Sequence, residues 1–290
     1  MKTISKKSLF LGLCSSLFMI QLAEAQTKAD KLADIFVNHP EQIMVTAHRA
    51  AHTHYPENSL GALQEAIRLG IDIAEVDIRQ TKDHVLVIMH DGKVDRTTNG
   101  KGALADMTYQ QLMELRLLQD GKPTDEKVPT LDQVLRMAKG KILLDLDFKL
   151  GDEDAVKRTY KAIEETQTTN QVLFFLYQYK YAPLVHAINP DVKVMPRAYK
   201  EDDVNKILDM KIAKVIHIDE KFYTDSLMKK ITDQHVRIWS NSLGTYDDLE
   251  LASHTGFKAL LTKTKYVNVI QTNLPEEWLK FLKQTGHHQL

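Results

Sequence analysis

From Ile43 to Thr272, aliphatic and β-branched runs alternate with amphipathic helical stretches, and charged or polar side chains gather where the runs end. No glycine-rich nucleotide loop follows any of these runs. Together these observations predict an α/β fold: a (β/α)8 TIM-type barrel with a β-hairpin at its mouth. An open doubly wound sheet, the competing architecture, would need the glycine-rich loop that is missing.

The expected strands are Ile43–His48, Asp72–Arg79, Val85–His90, Lys141–Phe148, Gln171–Tyr177, Asp191–Pro196, Lys214–Asp219, Val236–Ser240 and Asn268–Thr272. Helices are expected at Ser59–Leu69, Thr108–Leu118, Leu131–Ala138, Ala155–Thr166, Tyr181–Ile188, Asp202–Met210, Ser226–Asp233 and Tyr246–His254, with Ser59, Thr108 and Asp202 as N-caps. These strands exceed by one what an eight-stranded ring uses. The short gap between Arg79 and Val85 resolves the excess, because a parallel crossover needs about a dozen residues. Val85–His90 should therefore fold back on Asp72–Arg79 as a hairpin and bring His90 near Glu75. A surface loop is expected at Gly121–Lys127 and a frayed tail from Lys283 to Leu290.

The chain has 290 residues, 43% of them hydrophobic and 27% charged, and a formal net charge of −1. Residues 26–290 are enough for a single barrel domain. The near-neutral balance gives no reason to expect nucleic acid or a strongly charged membrane surface as a partner. Residues 1–25 read as a cleaved signal peptide. Lys2, Lys6 and Lys7 precede an apolar stretch, and Ala23-Glu24-Ala25 forms a small-x-small cleavage site. The stretch is short for a membrane span, so no stable anchor is expected in the mature chain. An exported protein, periplasmic or secreted, follows. The only cysteine, Cys14, lies in that segment, which leaves the mature chain without a disulfide or a thiolate nucleophile.

The chemistry-bearing residues sit at predicted strand ends. His48 can exchange protons near neutral pH, and Arg49 beside it offers a planar fork of donors for a phosphate or carboxylate. Glu75 and Asp77 are one residue apart, so a strand aims both at one face. Two such carboxylates repel unless a cation sits between them, and a hard divalent ion, Mg2+ or Ca2+, is the economical choice. Asp145, Asp147 and Lys149 repeat this on another strand, where a carboxylate could be a third metal ligand and Lys149 could neutralise a phosphoryl oxygen. Asp91 can orient His90, and Arg96-Thr97-Thr98-Asn99-Gly100-Lys101-Gly102 follows as a donor-rich turn. His217 and Asp219 end a barrel strand and could line the pocket. Trp239 is expected as a substrate-binding pocket wall, with core packing as the alternative. With no cysteine and oxygen-rich ligands, zinc is disfavoured.

This ordered set resembles the glycerophosphodiester phosphodiesterase family. His48-Arg49 looks like its His-Arg-Gly start, Pro56-Glu57-Asn58-Ser59 its Pro-Glu-Asn-Thr, and Glu75-Val76-Asp77 its Glu-x-Asp. His90-Asp91, Arg96-Thr97-Thr98-Asn99-Gly100, Pro129-Thr130-Leu131, Asp147-Phe148-Lys149, Trp239-Ser240-Asn241-Ser242 and Ile270–Pro275 continue the match to the end of the barrel. The resemblance implies a TIM-type barrel and a small-molecule phosphodiester substrate, cleaved to sn-glycerol 3-phosphate and an alcohol. His48 and His90 would be the acid/base pair. Glu75, Asp77 and Asp147 would hold one divalent cation, Arg49 and Lys149 would contact the phosphate, and Glu57 would support the site or touch the metal. Three residues depart from the pattern: Ala50 replaces a glycine, Asp147 a commoner Glu, and Asn273 a closing Asp. Cleavage of lysophospholipids or sphingolipids in the manner of a phospholipase D is an alternative, and a catalytically inactive binding protein for glycerophosphate-like ligands is a second.

Overall fold

The computed structural model describes residues 26–288, so the expected signal segment lies outside the described residues. The strands are β1 (Met44–Ala47), β2 (Ile73–Gln80), β3 (Leu86–Ile88), β4 (Leu118–Gln119), β5 (Lys122–Pro123), β6 (Leu143–Phe148), β7 (Val172–Leu176), β8 (Lys193–Pro196), β9 (Val215–His217), β10 (Arg237–Asn241) and β11 (Val269–Thr272). Eight of them form the barrel wall in the order β8-β7-β6-β2-β1-β11-β10-β9, each parallel to its neighbours. A parallel bridge between Arg197 and His217, with the Ala198 amide donating to the His217 carbonyl at 2.9 Å, joins the two ends.

Helices cover the ring: α1 (Lys28–Asn38), α2 (Leu60–Leu69), α3 (Tyr109–Leu112), α4 (Leu131–Ala138), α5 (Glu153–Thr166), α6 (Ala182–Ile188), α7 (Glu201–Met210), α8 (Asp225–Thr232), α9 (Thr245–Ser253), α10 (Gly256–Lys263) and α11 (Pro275–Gln284). Ser59 caps α2, its hydroxyl accepting from the Ala62 amide at 3.0 Å. Thr108 and Thr130 build complete capping boxes with Gln111 and Gln133. Asp202 is not a cap: it pairs with Lys206 one turn on, and Asp203 instead accepts from the Tyr199 amide at 3.0 Å.

The side-chain period of two sorts each wall strand into layers. Met44, Ile73, Leu143, Leu173, Met195, Val215, Trp239 and Val269 pack with Leu32 and Phe36 of α1 in one apolar cluster. Two residues further along several of these strands, the same face turns polar, as Glu75, Asp145, Arg197, His217, Asn241 and Gln271. The apolar layer gives the ring a filled interior, and the polar layer sits towards the C-terminal strand ends. Below the plug, the buried guanidinium of Arg237 donates to the carbonyls of Ile35, Phe36 and His39 at 2.6–2.8 Å and so ties the end of α1 to β10.

The hairpin forms as expected, β3 pairing antiparallel with β2 through Ile78 and Ile88. It opens a lobe with its own small core of Val87, Met89, Val94, Leu104, Leu112, Leu117 and Val128. Within that lobe the helix expected over Thr108–Leu118 is only the single turn α3, because Leu118 pairs with Pro123 in the β4–β5 hairpin. That hairpin also replaces part of the expected loop at Gly121–Lys127. The tail does not fray at once: His288 is buried, with Nε2 3.0 Å from both oxygens of Asp72. No helix among the described residues is long and apolar enough to cross a membrane.

Candidate active site

Glu75, Asp77 and Asp147 present one oxygen each, all within 4.8 Å of one another. The pairing of β2 with β6 makes this happen, since it sets Glu75 opposite Asp145 and Asp77 opposite Asp147. Each carboxylate is held in place. The Arg49 amide donates to Glu75 Oε2 at 2.7 Å, and Asn58 Nδ2 donates to Asp77 Oδ2 at 2.7 Å. Lys149 Nζ lies 2.5 Å from Asp147 Oδ2 and 3.0 Å from Asp77 Oδ1, and Tyr177 closes the group through bonds to Lys149 at 2.6 Å and Asp147 at 3.0 Å.

Burial, with Asp77, Asp147 and Asp145 close by, pushes the Glu75 carboxyl well above its usual range. Burial and the neighbouring carboxylates do the same to Asp145. Burial also opposes the Lys149 charge, but Asp147 and Asp77 outweigh it and hold the ammonium above its ordinary value. Crowded carboxyls of this kind are what a cation relieves. Asp145 Oδ1 and Asp147 Oδ1 are buried and lack a hydrogen-bond partner. An all-oxygen donor set with uncommitted lone pairs fits a hard divalent cation, and Glu75, Asp77 and Asp147 are its candidate ligands.

His48 follows β1 and lines the same cavity of about 100 Å³ as Glu75, Asp145 and Asp147. Its Nδ1 is 2.8 Å from Asn273 Oδ1, so Nδ1 carries the hydrogen and Nε2 keeps its lone pair. Burial lowers its pKa to about 4, against a smaller upward pull from Asn273. The chain turns sharply after it: Arg49 and Ala50 have φ of 50° and 62°. Ala50 therefore occupies the left-handed region, which explains why a glycine suits this position.

His90 follows Met89, whose amide donates to the Asp77 carbonyl at 2.9 Å, so the hairpin ties His90 to the metal-candidate strand. Its Nδ1 is 2.7 Å from Asp91 Oδ1. Asp91 also accepts from Arg96 Nε at 2.7 Å, and that guanidinium holds its carboxyl well below the usual range. Arg96 in turn pairs with Glu57 at 2.7 Å, and Glu57 pairs with Arg49 at 3.0 Å. This chain of ion pairs orients both Arg49 and His90. Glu57 is outside the three-carboxylate cluster, with both oxygens taken by guanidinium groups.

Trp239 is placed differently from its expected role. It is fully buried in the apolar plug, its Nε1 donating to Gln271 Oε1 at 3.1 Å, and Gln271 rather than Trp239 reaches the cavity. The far wall of the cavity also holds residues that the sequence reading left without a role: Tyr177, Arg197 and Asn241. Arg197 is clamped by Asp219 at 2.6 Å, and its Nε and Asn241 Oδ1 are buried without partners. His217 joins them, its pKa lowered to about 3 by burial with Arg197 nearby. The inward period of two was the available signal, since each of these residues lies two places beyond a plug residue on its strand.

The sequence model of the glycerophosphoryl diester phosphodiesterase family matches residues 48–192. A glycerophosphodiester phosphodiesterase of Caldanaerobacter subterraneus is 32% identical over 157 residues, which are 52% of this chain and 65% of the relative. Another, of Bacillus subtilis, is 36% identical over 140 residues, 44% of each chain. The chain thus spans less than two thirds of these curated relatives. A crystal structure of a glycerophosphoryl diester phosphodiesterase from Parabacteroides distasonis has the same fold, with a TM-score of 0.77 at 24% identity over 90% of this chain and 93% of that one. A phosphodiesterase from Oleispira antarctica, in complex with the product sn-glycerol-3-phosphate, superposes with a TM-score of 0.65 at 20% identity over 83% of this chain and 97% of that one. With half of its length matched by the family's sequence model, from His48 through both candidate carboxylate strands, this chain belongs to the glycerophosphoryl diester phosphodiesterase family.

Proposed function

We propose that the protein hydrolyses glycerophosphodiesters to sn-glycerol 3-phosphate and an alcohol, with His48 and His90 as the acid/base pair and one divalent cation, Mg2+ or Ca2+, at Glu75, Asp77 and Asp147. The observation that carries this reading is His48, hydrogen-bonded to Asn273, in one cavity with the crowded carboxylates.

A bound cation would supply charge to offset the phosphate oxygens as the transition state forms. Arg49 and Lys149 bring further positive charge to the same oxygens. His48 suits the general base. Its Nδ1 hydrogen is committed to Asn273, so the Nε2 lone pair is free to accept a proton from the attacking oxygen. His90, oriented by Asp91, suits the general acid that protonates the departing alkoxide. Glu57 holds Arg49 and Arg96 in place rather than meeting substrate. Arg197 Nε and Asn241 Oδ1 offer a donor and an acceptor on the far wall, suited to substrate hydroxyl groups.

We further propose that residues 26–290 act as one exported unit, from the basic and apolar start and Ala23-Glu24-Ala25. The test of the activity is phosphorus NMR of glycerophosphocholine incubated with purified protein and Mg2+ or Ca2+. The reading expects glycerol 3-phosphate and choline in equal amounts. Persistence of the diester signal with either ion would overturn it.

A further inference from the structure

Between the barrel and the lobe opened by the β2–β3 hairpin lies a polar cavity of about 320 Å³, with His52, Glu57, Arg96, Thr97, Gln119 and Asp120 among its walls. One edge is the β4–β5 hairpin, which Asp120 and Gly121 turn with φ of 51° and 73°. The cavity shares Glu57 and Arg96 with the ion-pair chain of the active site. Arg96 Nε donates to Asp91 at 2.7 Å, and Asp91 lies 2.7 Å from His90 Nδ1. On the barrel side the His52 ring stands 6.4 Å from the His48 ring. An alcohol released between the two histidines therefore has this space beside it.

The walls say which alcohol suits it. Thr97 is 7% exposed, and its Oγ1 is buried without a hydrogen-bond partner. Gln119 Nε2 donates to the Thr53 carbonyl at 3.4 Å, which leaves Oε1 as an acceptor. His52 Nδ1 lies 3.2 Å from the Ala50 carbonyl, so Nδ1 carries the hydrogen and Nε2 is a second acceptor. The Arg96 guanidinium is committed to Glu57 and Asp91, so its charge is already compensated and draws no anion. Among the described residues that line the cavity none is Phe, Tyr or Trp, so a quaternary ammonium finds no ring face. Neutral groups that each accept one bond, beside a hydroxyl that can do both, match a ligand rich in hydroxyls.

We infer that this cavity is the subsite of the departing alcohol and that it selects a polyhydroxylated one. The inference rests on the hydrolytic reading above. Water joins phosphorus and gives a proton to His48. The phosphorus–oxygen bond to the polyol breaks, and that oxygen takes a proton from His90. The volume is at the small end of small-molecule sites, enough for a polyol of three to six carbons.

The test measures kcat/KM for four diesters of glycerol 3-phosphate, with glycerol, inositol, choline or methanol as the second alcohol, using the full chain with Mg2+ or Ca2+. The glycerol and inositol diesters should exceed the choline and methyl diesters by about tenfold, the worth of one or two hydrogen bonds. Gln119→Leu and Thr97→Val should each lower the ratio of inositol to methyl diester by about two- to tenfold. Thr97→Ser, which keeps the hydroxyl, should retain that ratio. A general loss of folding lowers all four rates together and leaves the ratio where it was. A choline or methyl diester cleaved as well as the polyol diesters, or a ratio unmoved in both Gln119→Leu and Thr97→Val, would overturn the inference. Should no diester be cleaved, the hydrolytic reading fails and the cavity is judged by calorimetry with glycerophosphoinositol and glycerophosphocholine. Tighter binding of the inositol compound that is lost in Gln119→Leu would sustain the subsite, and equal or absent binding would overturn it.

Discussion

The ammonium of Lys149, the residue just after β6, lies 3.0 Å from Asp77 Oδ1 on the adjacent strand β2. Together with its contact to Asp147, this makes Lys149 the internal counter-ion of two carboxylates that are also candidate metal ligands. The pairing has a consequence for substitution. Lys149→Met removes the proposed phosphate contact and a competitor of the proposed cation at once. It should lower kcat/KM by roughly a hundredfold or more, as loss of a charge-stabilising group does, while calorimetry shows divalent-cation affinity unchanged or raised. A weakened affinity would mean that Lys149 instead organises the ligands.

Asn273 sets the proton position on His48. Because burial holds His48 at about 4, the imidazole stays neutral well into the acid range, and the proposed base function would be lost only as pH falls through that value. The acid limb of kcat/KM should therefore lie well below the 6.5 of an ordinary histidine. Asn273→Asp puts a carboxylate at the 2.8 Å contact and favours the imidazolium. The limb should move upward by roughly one to three pH units. A pH–rate profile of the two proteins checks this, and an unmoved limb would assign it to another group.

Ala50 adopts φ of 62° while being almost fully buried. A left-handed conformation costs a non-glycine residue about 1–2 kcal/mol, and the buried methyl returns about 0.8 kcal/mol. Ala50→Gly should thus be neutral or stabilising by up to about 1 kcal/mol. Ala50→Val combines a disfavoured φ with overpacking and should cost roughly 2–4 kcal/mol. Denaturant titration of both variants measures the difference.

Trp239 belongs to the barrel plug, so its substitution should read as stability rather than specificity. Trp239→Phe loses a bond to Gln271 and leaves a void, at a cost of about 1–3 kcal/mol. KM for glycerophosphocholine should change by less than about threefold, since the side chain lies below the cavity floor.

Much of this site was legible because strands alternate. Glu75 with Asp77, and Asp147 with Lys149, share a face on period alone, and the short gap after Arg79 forced the hairpin that delivers His90. Depth along a barrel strand is what a local pattern does not carry. Trp239 and Asn241 face the same way, yet one packs among Leu32 and Phe36 while the other lines the cavity. Which of them reaches the mouth depends on the stagger of eight strands and on α1 filling the opposite end. Arg197 and Asn241 were missed for a related reason, being single residues on separate strands that only ring closure brings together. In the lobe, Thr108 announced a helix by its cap, but Leu118 was drawn into the β4–β5 pair and the helix stopped after one turn.

The most direct measurement is turnover of glycerophosphocholine by EDTA-treated protein titrated with Mg2+ or Ca2+, with Glu75→Gln and His48→Ala measured beside it. The account predicts that a cation restores alcohol release, that Glu75→Gln requires far more cation, and that His48→Ala loses roughly 10²–10⁴ in kcat at saturating cation. Turnover that survives EDTA, or that persists in His48→Ala with the cation bound, would contradict it.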